Sequence, residues 1–260
     1  MILSQEIRAH ARKNTVPEST IERDYAQNWL LKSLFDANPS FIFKGGTGIR
    51  KAHIPNYRFS DDIDLGLSEP WRMHELLDLL NGVVGSAREE SGIAYESPAK
   101  LLENVNGFEG AVYLRLLRRS GSPLKIKLDI TKFDNEIIVF PLNSLPLVHP
   151  YSDGCSCMLN VYSLKETLCE KVRALFERTR PRDLYDIFQL MGRVDPKDIV
   201  RGTIRKFEFK SIPPDITKVL ARKDYFQSAW ETSLGHQLQD LPEFNSTFHE
   251  VIDFVDTILD

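Results

Sequence analysis

Apolar residues recur along this chain with two different periods, and the alternation between them sketches its architecture. Between Glu18 and Ala37, Ile21, Tyr25, Trp29, Leu30 and Leu34 return every three to four residues, which predicts a helix with one apolar face. A short helix over residues 3–13 precedes it, and Val16-Pro17-Glu18-Ser19-Thr20 separates the two. Asn38-Pro39 ends the longer helix, and Phe41 to Lys44 reads as a strand. Gly48 to His53 reads as a short helix stopped by Ile54-Pro55-Asn56. After a second strand around Asp62 to Leu67, Pro70 and Trp71 open a helix carried to about Glu90 by Leu76, Leu77, Leu79, Leu80, Val83 and Val84.

From Gly92 to Ser163 the period shortens. Phe108 to Leu117 predicts one strand, Leu124 to Ile130 alternates apolar and polar with period two, and Ser120-Gly121-Ser122-Pro123 links them as a hairpin. Helical spacing then returns for good. Leu164 to Thr179 carries Leu168, Val172, Leu175 and Phe176 on one side, with Ser163 and Glu166 as a capping box. Further helices follow from Arg182 to Arg193, Pro196 to Phe207, Pro214 to Arg222, Tyr225 to Leu238 and Pro242 to Leu259. The pattern predicts an α/β domain with a mixed sheet over residues 1–160 and an all-α domain over residues 161–260.

Composition changes this picture little. The 260 residues, 42% apolar and 27% charged, are ordinary for a globular protein. No apolar run approaches the length of a membrane span and no signal-like block opens the chain, so a cytoplasmic protein without membrane contact is expected. The three cysteines, with Cys155 and Cys157 two residues apart, read as reduced thiols, Cys169 in the core.

Charge adds more. The net charge of −4 argues against a protein that coats nucleic acid indiscriminately, but the charges are unevenly spread. Lys165 to Lys223 holds 15 basic and 9 acidic residues, whereas residues 224–260 hold 8 acidic residues and no Lys or Arg. Solvated helix faces would explain this; so would an RNA-facing surface followed by a partner-facing or self-shielding one. Arg115, Arg118, Arg119, Lys125 and Lys127 form a second basic run that could track an RNA backbone.

The chemistry concentrates in Phe41 to Leu67, FIFKGGTGIRKAHIPNYRFSDDIDLGL. Residues i and i+2 of a strand share a face, so Asp62 and Asp64 point to one spot while Ile63 and Leu65 point into a core. Two carboxylates side by side call for a cation, and Mg²⁺ accepts one or two carboxylates and completes its shell with water and phosphate oxygens. Gly45 and Gly46 allow close backbone approach to a phosphate, and a following helix start offers free N–H groups. By the alternation of its strand Asp129 lies with Lys125 and Lys127, opposite Ile126, Leu128 and Ile130. A strand Asp paired with Arg115 or Lys127 is the plain alternative to a catalytic one.

The pattern Lys44-Gly45-Gly46-Thr47 followed by Arg58-Phe59-Ser60-Asp61-Asp62-Ile63-Asp64-Leu65 resembles the AbiEii, or MenT-type, nucleotidyltransferase toxins. Ile21-Glu22-Arg23-Asp24-Tyr25, Glu170 to Leu175 and Arg182-Asp183-Leu184-Tyr185-Asp186 also look like that family, so the resemblance spans roughly residues 20–190. It implies a polymerase-β-like nucleotidyltransferase domain whose active site lies between the two domains. It also implies a two-ion Mg²⁺ site on Asp62, Asp64 and Asp129, with Asp129 taking the proton of the attacking hydroxyl. The NTP would be held by Lys44, Gly45, Gly46, Thr47, Arg58, Ser60, Lys171, Arg178 and Arg182. Lys171 would reach the triphosphate, with Asp186, more than Asp183, orienting Lys171 or Arg178. Snorkelling at a core edge is the plain alternative for Lys171, and a helix-end salt bridge the one for Arg182 and Asp186.

Thr47 stands where more distant nucleotidyltransferases use Ser, and Gly48 where many relatives carry a larger residue. The biology implied is a toxin of a type IV toxin–antitoxin or abortive-infection pair that adds nucleotides to RNA, with the tRNA 3′ end as acceptor and a separately encoded antitoxin as partner. The same chemistry would serve a nucleotidyltransferase acting on a small-molecule or protein hydroxyl. A non-catalytic module that only binds Mg-NTP would need no third carboxylate.

Overall fold

The computed structural model describes residues 1–117 and 120–259, without the side chains of residues 97–99. The chain forms two compact units: Met1–Glu136 with Leu142–Val161, and Ile137–Pro141 with Tyr162–Asp260. The second unit thus takes a five-residue strap out of the middle of the first.

In the first unit, helices α1 (Ser4–Asn14) and α2 (Glu18–Ala37) lead to β1 (Ile42–Lys44). A single helical turn, α3 (Gly45–Gly48), and a wider turn over Ile49–His53 connect it to β2 (Asp62–Gly66). Then come α4 (Met73–Ser91), β3 (Ala94–Glu103), β4 (Gly107–Arg115), β5 (Leu124–Thr131), β6 (Asn143–Pro146) and β7 (Met158–Val161). These strands form one sheet in the order β3-β4-β5-β2-β1-β7-β6. It is mixed: β2 runs parallel to β5 and β1 to β7, while the other neighbours are antiparallel.

Period-two alternation sends Ile63, Leu65, Ile126, Leu128 and Ile130 into a core shared with Leu30, Leu31 and Leu34 of α2 and Leu80, Val83 and Val84 of α4. The opposite edge of that alternation is Asp62, Asp64, Lys127 and Asp129, all partly exposed.

The expectation of one apolar face on α2 is corrected. The helix is buried nearly all round, including Glu22, Asp24, Gln27 and Asn28. These polar groups are tolerated because each meets a partner from elsewhere in the unit. Gln27 donates to the Ser60 carbonyl (3.0 Å), and Asn28 donates to the Val148 carbonyl (3.3 Å) and contacts His149 Nδ1 (2.9 Å).

The second unit is helical: α5 (Leu164–Glu177), α6 (Pro181–Met191), α7 (Pro196–Lys210), α8 (Ile216–Leu220), α9 (Lys223–Leu234) and α10 (Phe244–Leu259). Ser163 caps α5 by accepting from the Glu166 N–H (3.2 Å). The Glu166 carboxylate, expected to close a capping box, turns inward instead and accepts from Val139 and Phe140 N–H (2.9 and 2.8 Å). Lys206 sits against it at 2.7 Å and donates to the Ile137 carbonyl at 2.9 Å, both ionic side chains fully enclosed. The ring of Phe140 packs so tightly on α7 that a Cβ at Gly202 would lie 2.4 Å from it. Backbone, charge and ring together hold the strap. No helix among the described residues is long and apolar enough to cross a membrane.

Candidate functional site

Strand register brings the acidic residues together. Asp64 is the ladder partner of Asp129 in the parallel β2–β5 pair, and Lys44 is the partner of Asp64 in the antiparallel β1–β2 pair. Laterally paired residues share a sheet face, so Lys44, Asp64 and Asp129 form a row across three strands, with Asp62 two residues along. Glu109 of β4 extends this row beyond Asp129. Lys127 stands between the acids, 3.8 Å from Glu109 and 3.9 Å from Asp129, distances too long for strong pairing. Arg115, the other candidate partner of Asp129, pairs with Glu96 (3.3 Å) and donates to the Gly121 carbonyl (2.6 Å).

The glycine turn is shaped around these groups. Gly45 has φ +72°, and a Cβ there would fall inside the Asp64 carboxyl group; a Cβ at Gly46 would lie 2.5 Å from the Arg58 guanidinium. Both glycines thus make room for a charged side chain lying over the turn. Thr47 is fully enclosed and its hydroxyl donates to the Asp62 carbonyl. The hydroxyl expected to meet phosphate is therefore used to tie the turn to the start of β2. Arg58 and Ser60 are also buried. Lys44 Nζ is held by Glu136 (2.7 Å) and donates to Thr131 Oγ1 (2.8 Å), so Glu136 belongs to the site's wiring although nothing in the local sequence marks it.

The Glu22 to Tyr25 stretch of α2 acts as a distribution point. Glu22 accepts from Leu117 N–H (2.7 Å), and Arg23 pairs with Asp61 and donates to the Lys125 carbonyl (3.0 Å). Asp24 takes Arg50 (2.9 Å), Lys51 (2.7 Å) and the Tyr151 hydroxyl (2.7 Å); Tyr25 donates to Asp153 (2.5 Å). Burial alone would raise the Asp24 carboxyl. The Lys51 and Arg50 charges and their hydrogen bonds override it and hold the group well below the usual carboxylate range. Arg50 also lies over the Phe59 ring (3.6 Å), just ahead of the acidic strand.

The candidates of the helical unit form a second cluster. Lys171 does not snorkel: its ammonium is enclosed and paired with Asp183 (2.8 Å) and Asp186 (2.6 Å). Arg178, half exposed, bonds Asp183 through Nε (2.7 Å) and Nη2 (3.2 Å). Burial would raise Asp183, but Lys171 and Arg178 hold it far below its ordinary value. Arg182 is partly exposed on the first turn of α6.

A family model for the nucleotidyl transferase AbiEii toxin of type IV toxin–antitoxin systems matches residues 29–257. The chain belongs to this family. The AbiEii match runs through nearly all of the helical unit, well past residue 190 where the motif resemblance ends, and begins after Ile21–Tyr25. No curated protein matches the sequence. Among solved structures, MenT4, a nucleotidyltransferase toxin from Mycobacterium tuberculosis H37Rv, superposes with TM-score 0.73 at 18% identity, over 100% of this chain and 91% of that one. A candidate nucleotidyltransferase from H. pylori follows with TM-score 0.58 at 17% identity, covering 94% and 96%. At such identities the likeness shows a shared fold, which is the nucleotidyltransferase fold.

The donor set can be tested against the divalent cation that such a fold implies. Among the described residues no three His, Cys, Asp or Glu side chains converge to hold a metal ion. Asp129 is the ladder neighbour of Asp64. Asp62 and Asp64, two residues apart on one face and partly exposed, still fit Mg²⁺, which binds through one or two carboxylates and keeps waters and phosphate oxygens.

Proposed function

We propose that this AbiEii-family toxin transfers a nucleotidyl group from an NTP to an RNA hydroxyl, the tRNA 3′ end being the acceptor implied by its family resemblance. The observation that carries the reading is the row formed by Asp62, Asp64 and Asp129 beside a glycine turn whose shape leaves room for Asp64 and Arg58. Asp62 and Asp64 would hold Mg²⁺, which when bound stabilises charge on the entering and leaving oxygens. The Asp129 carboxylate takes the proton as the acceptor oxygen bonds to the α-phosphorus. The bond from that phosphorus to the α–β bridging oxygen breaks, and pyrophosphate leaves. Lys44, Gly45, Gly46, Arg58 and Ser60 belong to nucleotide binding in this reading, with Thr47 as the tie that holds the turn. In the helical unit Asp183 and Asp186 orient Lys171, which the family resemblance counts with Arg178 and Arg182 among the nucleotide-binding cations. A separately encoded antitoxin is the partner expected of a type IV system.

The test is to incubate the protein with Mg²⁺, each α-labelled NTP in turn and total cellular RNA, beside an Asp62→Ala/Asp64→Ala control. Label in a tRNA-sized band with the wild type alone supports the reading and names the nucleotide. Label on protein moves the acceptor to a side chain, and bound nucleotide without transfer leaves a binding module.

A further inference from the structure

Six cations of the basic stretch from Lys165 to Lys223, namely Lys165, Lys171, Arg173, Arg178, Lys206 and Arg222, are committed to the fold. Lys171 and Lys206 are enclosed in ion pairs, Arg173 lies between Glu170 and Glu177, and Arg222 donates to the last carbonyls of α5. The hairpin run is likewise partnered in part: Arg115 has Glu96, and Lys127 faces Glu109 and Asp129; Arg118 and Arg119 lie outside the described residues.

Of the remaining cations, three line up on one face of α7. Lys197, Arg201 and Arg205 are exposed, recur every four residues, and make no ion pair with any described residue. Asp198, the acid nearest Arg201 on this helix, is taken by Lys165 at 2.7 Å; Glu208 lies three residues past Arg205 without closing a pair. A four-residue step advances about 6 Å along the axis and stays on one face. The result is a ridge of like charges, an arrangement that works against the helix unless a ligand neutralises it. Two apolar side chains, Ile204 and Phe209, sit among the cations and are each 42% exposed.

We propose that this face of α7 is a contact surface for the backbone of the RNA acceptor, with Lys197, Arg201 and Arg205 on phosphates and Phe209 against a sugar or base. The inference rests on the RNA reading above and adds the surface that holds the substrate. A line of cations interleaved with an exposed aromatic suits a polyanion that carries stacking faces.

The experiment uses full-length chain silenced by Asp62→Ala/Asp64→Ala, with and without Lys197→Gln/Arg201→Gln/Arg205→Gln, binding a fluorescent tRNA transcript across a salt series. Arg12→Gln/Lys13→Gln/Lys100→Gln, three exposed cations elsewhere, serves as the charge control, and circular dichroism checks folding. The α7 variant is expected to bind at least tenfold more weakly, with a slope of log K against log salt shallower by about 2–3, some 0.7–0.9 per lost phosphate contact. The control should change neither. Equal losses in both variants, or an unchanged slope in the α7 variant, would overturn the ridge and leave RNA as acceptor. No tRNA binding by the parent at low salt would remove both. Stronger dependence of anionic vesicle or poly-glutamate binding on these three residues than of tRNA binding would also overturn it.

Discussion

Asp64 of β2 and Asp129 of β5 are direct partners in a parallel ladder, the first lying over Gly45 and the second near Lys127. Two carboxylates with different neighbours can divide metal binding from proton transfer. Asp129→Asn should lower kcat at least about 100-fold, the usual contribution of a positioned base, while nucleotide affinity changes only a few-fold. Asp64→Asn should impair both. Steady-state transfer of labelled nucleotide together with equilibrium nucleotide binding separates the two outcomes.

Arg23 joins the residue preceding Asp62 to the backbone of the strand that carries Asp129. Arg23→Met should therefore cost about 1.5–3 kcal/mol in stability, as for other charged hydrogen bonds, and reduce activity by more than that loss explains. Denaturant unfolding beside kcat measured well below the melting point tests it; equal activity at full folding would show the link to be structural only.

At Gly45 an added methyl meets both a positive φ and the Asp64 carboxyl group. Gly45→Ala should displace Asp64 and abolish detectable transfer, with about 1–2 kcal/mol of destabilisation from the backbone conformation alone. Thermal unfolding and the labelling assay on the same preparation provide the check.

Acid should weaken both units through Asp24 and Asp183, whose folded pKa values lie below the unfolded value of about 3.9. Their contribution is complete above that value and is lost as pH falls below about 4, where the unfolded chain binds protons more readily. Asp183→Asn, which leaves Lys171 and Arg178 short of a charge, should cost about 3 kcal/mol at pH 7 and clearly less at pH 3. Urea unfolding at the two pH values measures the difference.

Lys206→Ala would leave Glu166 enclosed without its counter-charge, a loss of about 3–5 kcal/mol. The paired change Glu166→Gln/Lys206→Met should recover part of it. A double-mutant cycle by denaturant unfolding gives the coupling.

Much of the sheet was legible because period-two alternation is a local signal: it placed Asp62, Asp64 and Asp129 on a polar face and their neighbours in the core. The mixed sheet and the helical second half followed from the same reading. What escaped was non-local. Asp24, Gln27 and Asn28 look like the wet side of α2, and only partners 26 to 127 residues away make them interior. Glu166 satisfies a capping-box pattern yet serves a strap 26 residues earlier. The snorkelling alternative for Lys171 fails because Asp183 and Asp186 enclose its ammonium once α6 folds beside α5. Glu136 carried no motif at all, and its link to Lys44 depends on a chain path that spacing does not reveal.

The strap over residues 137–141 also bears on how such a gene can be cut and recombined. Because the chain leaves the first unit after Glu136, returns at Leu142 and leaves again after Val161, no single break separates the units. A fragment of residues 162–260 would strand Glu166 and Lys206 without the backbone groups they hold, and residues 1–161 would carry an unclaimed loop in place of a boundary. Exchange of helical halves between related toxins by one crossover at residue 161 should therefore fail unless the strap travels with them, which makes the two units a single object of inheritance.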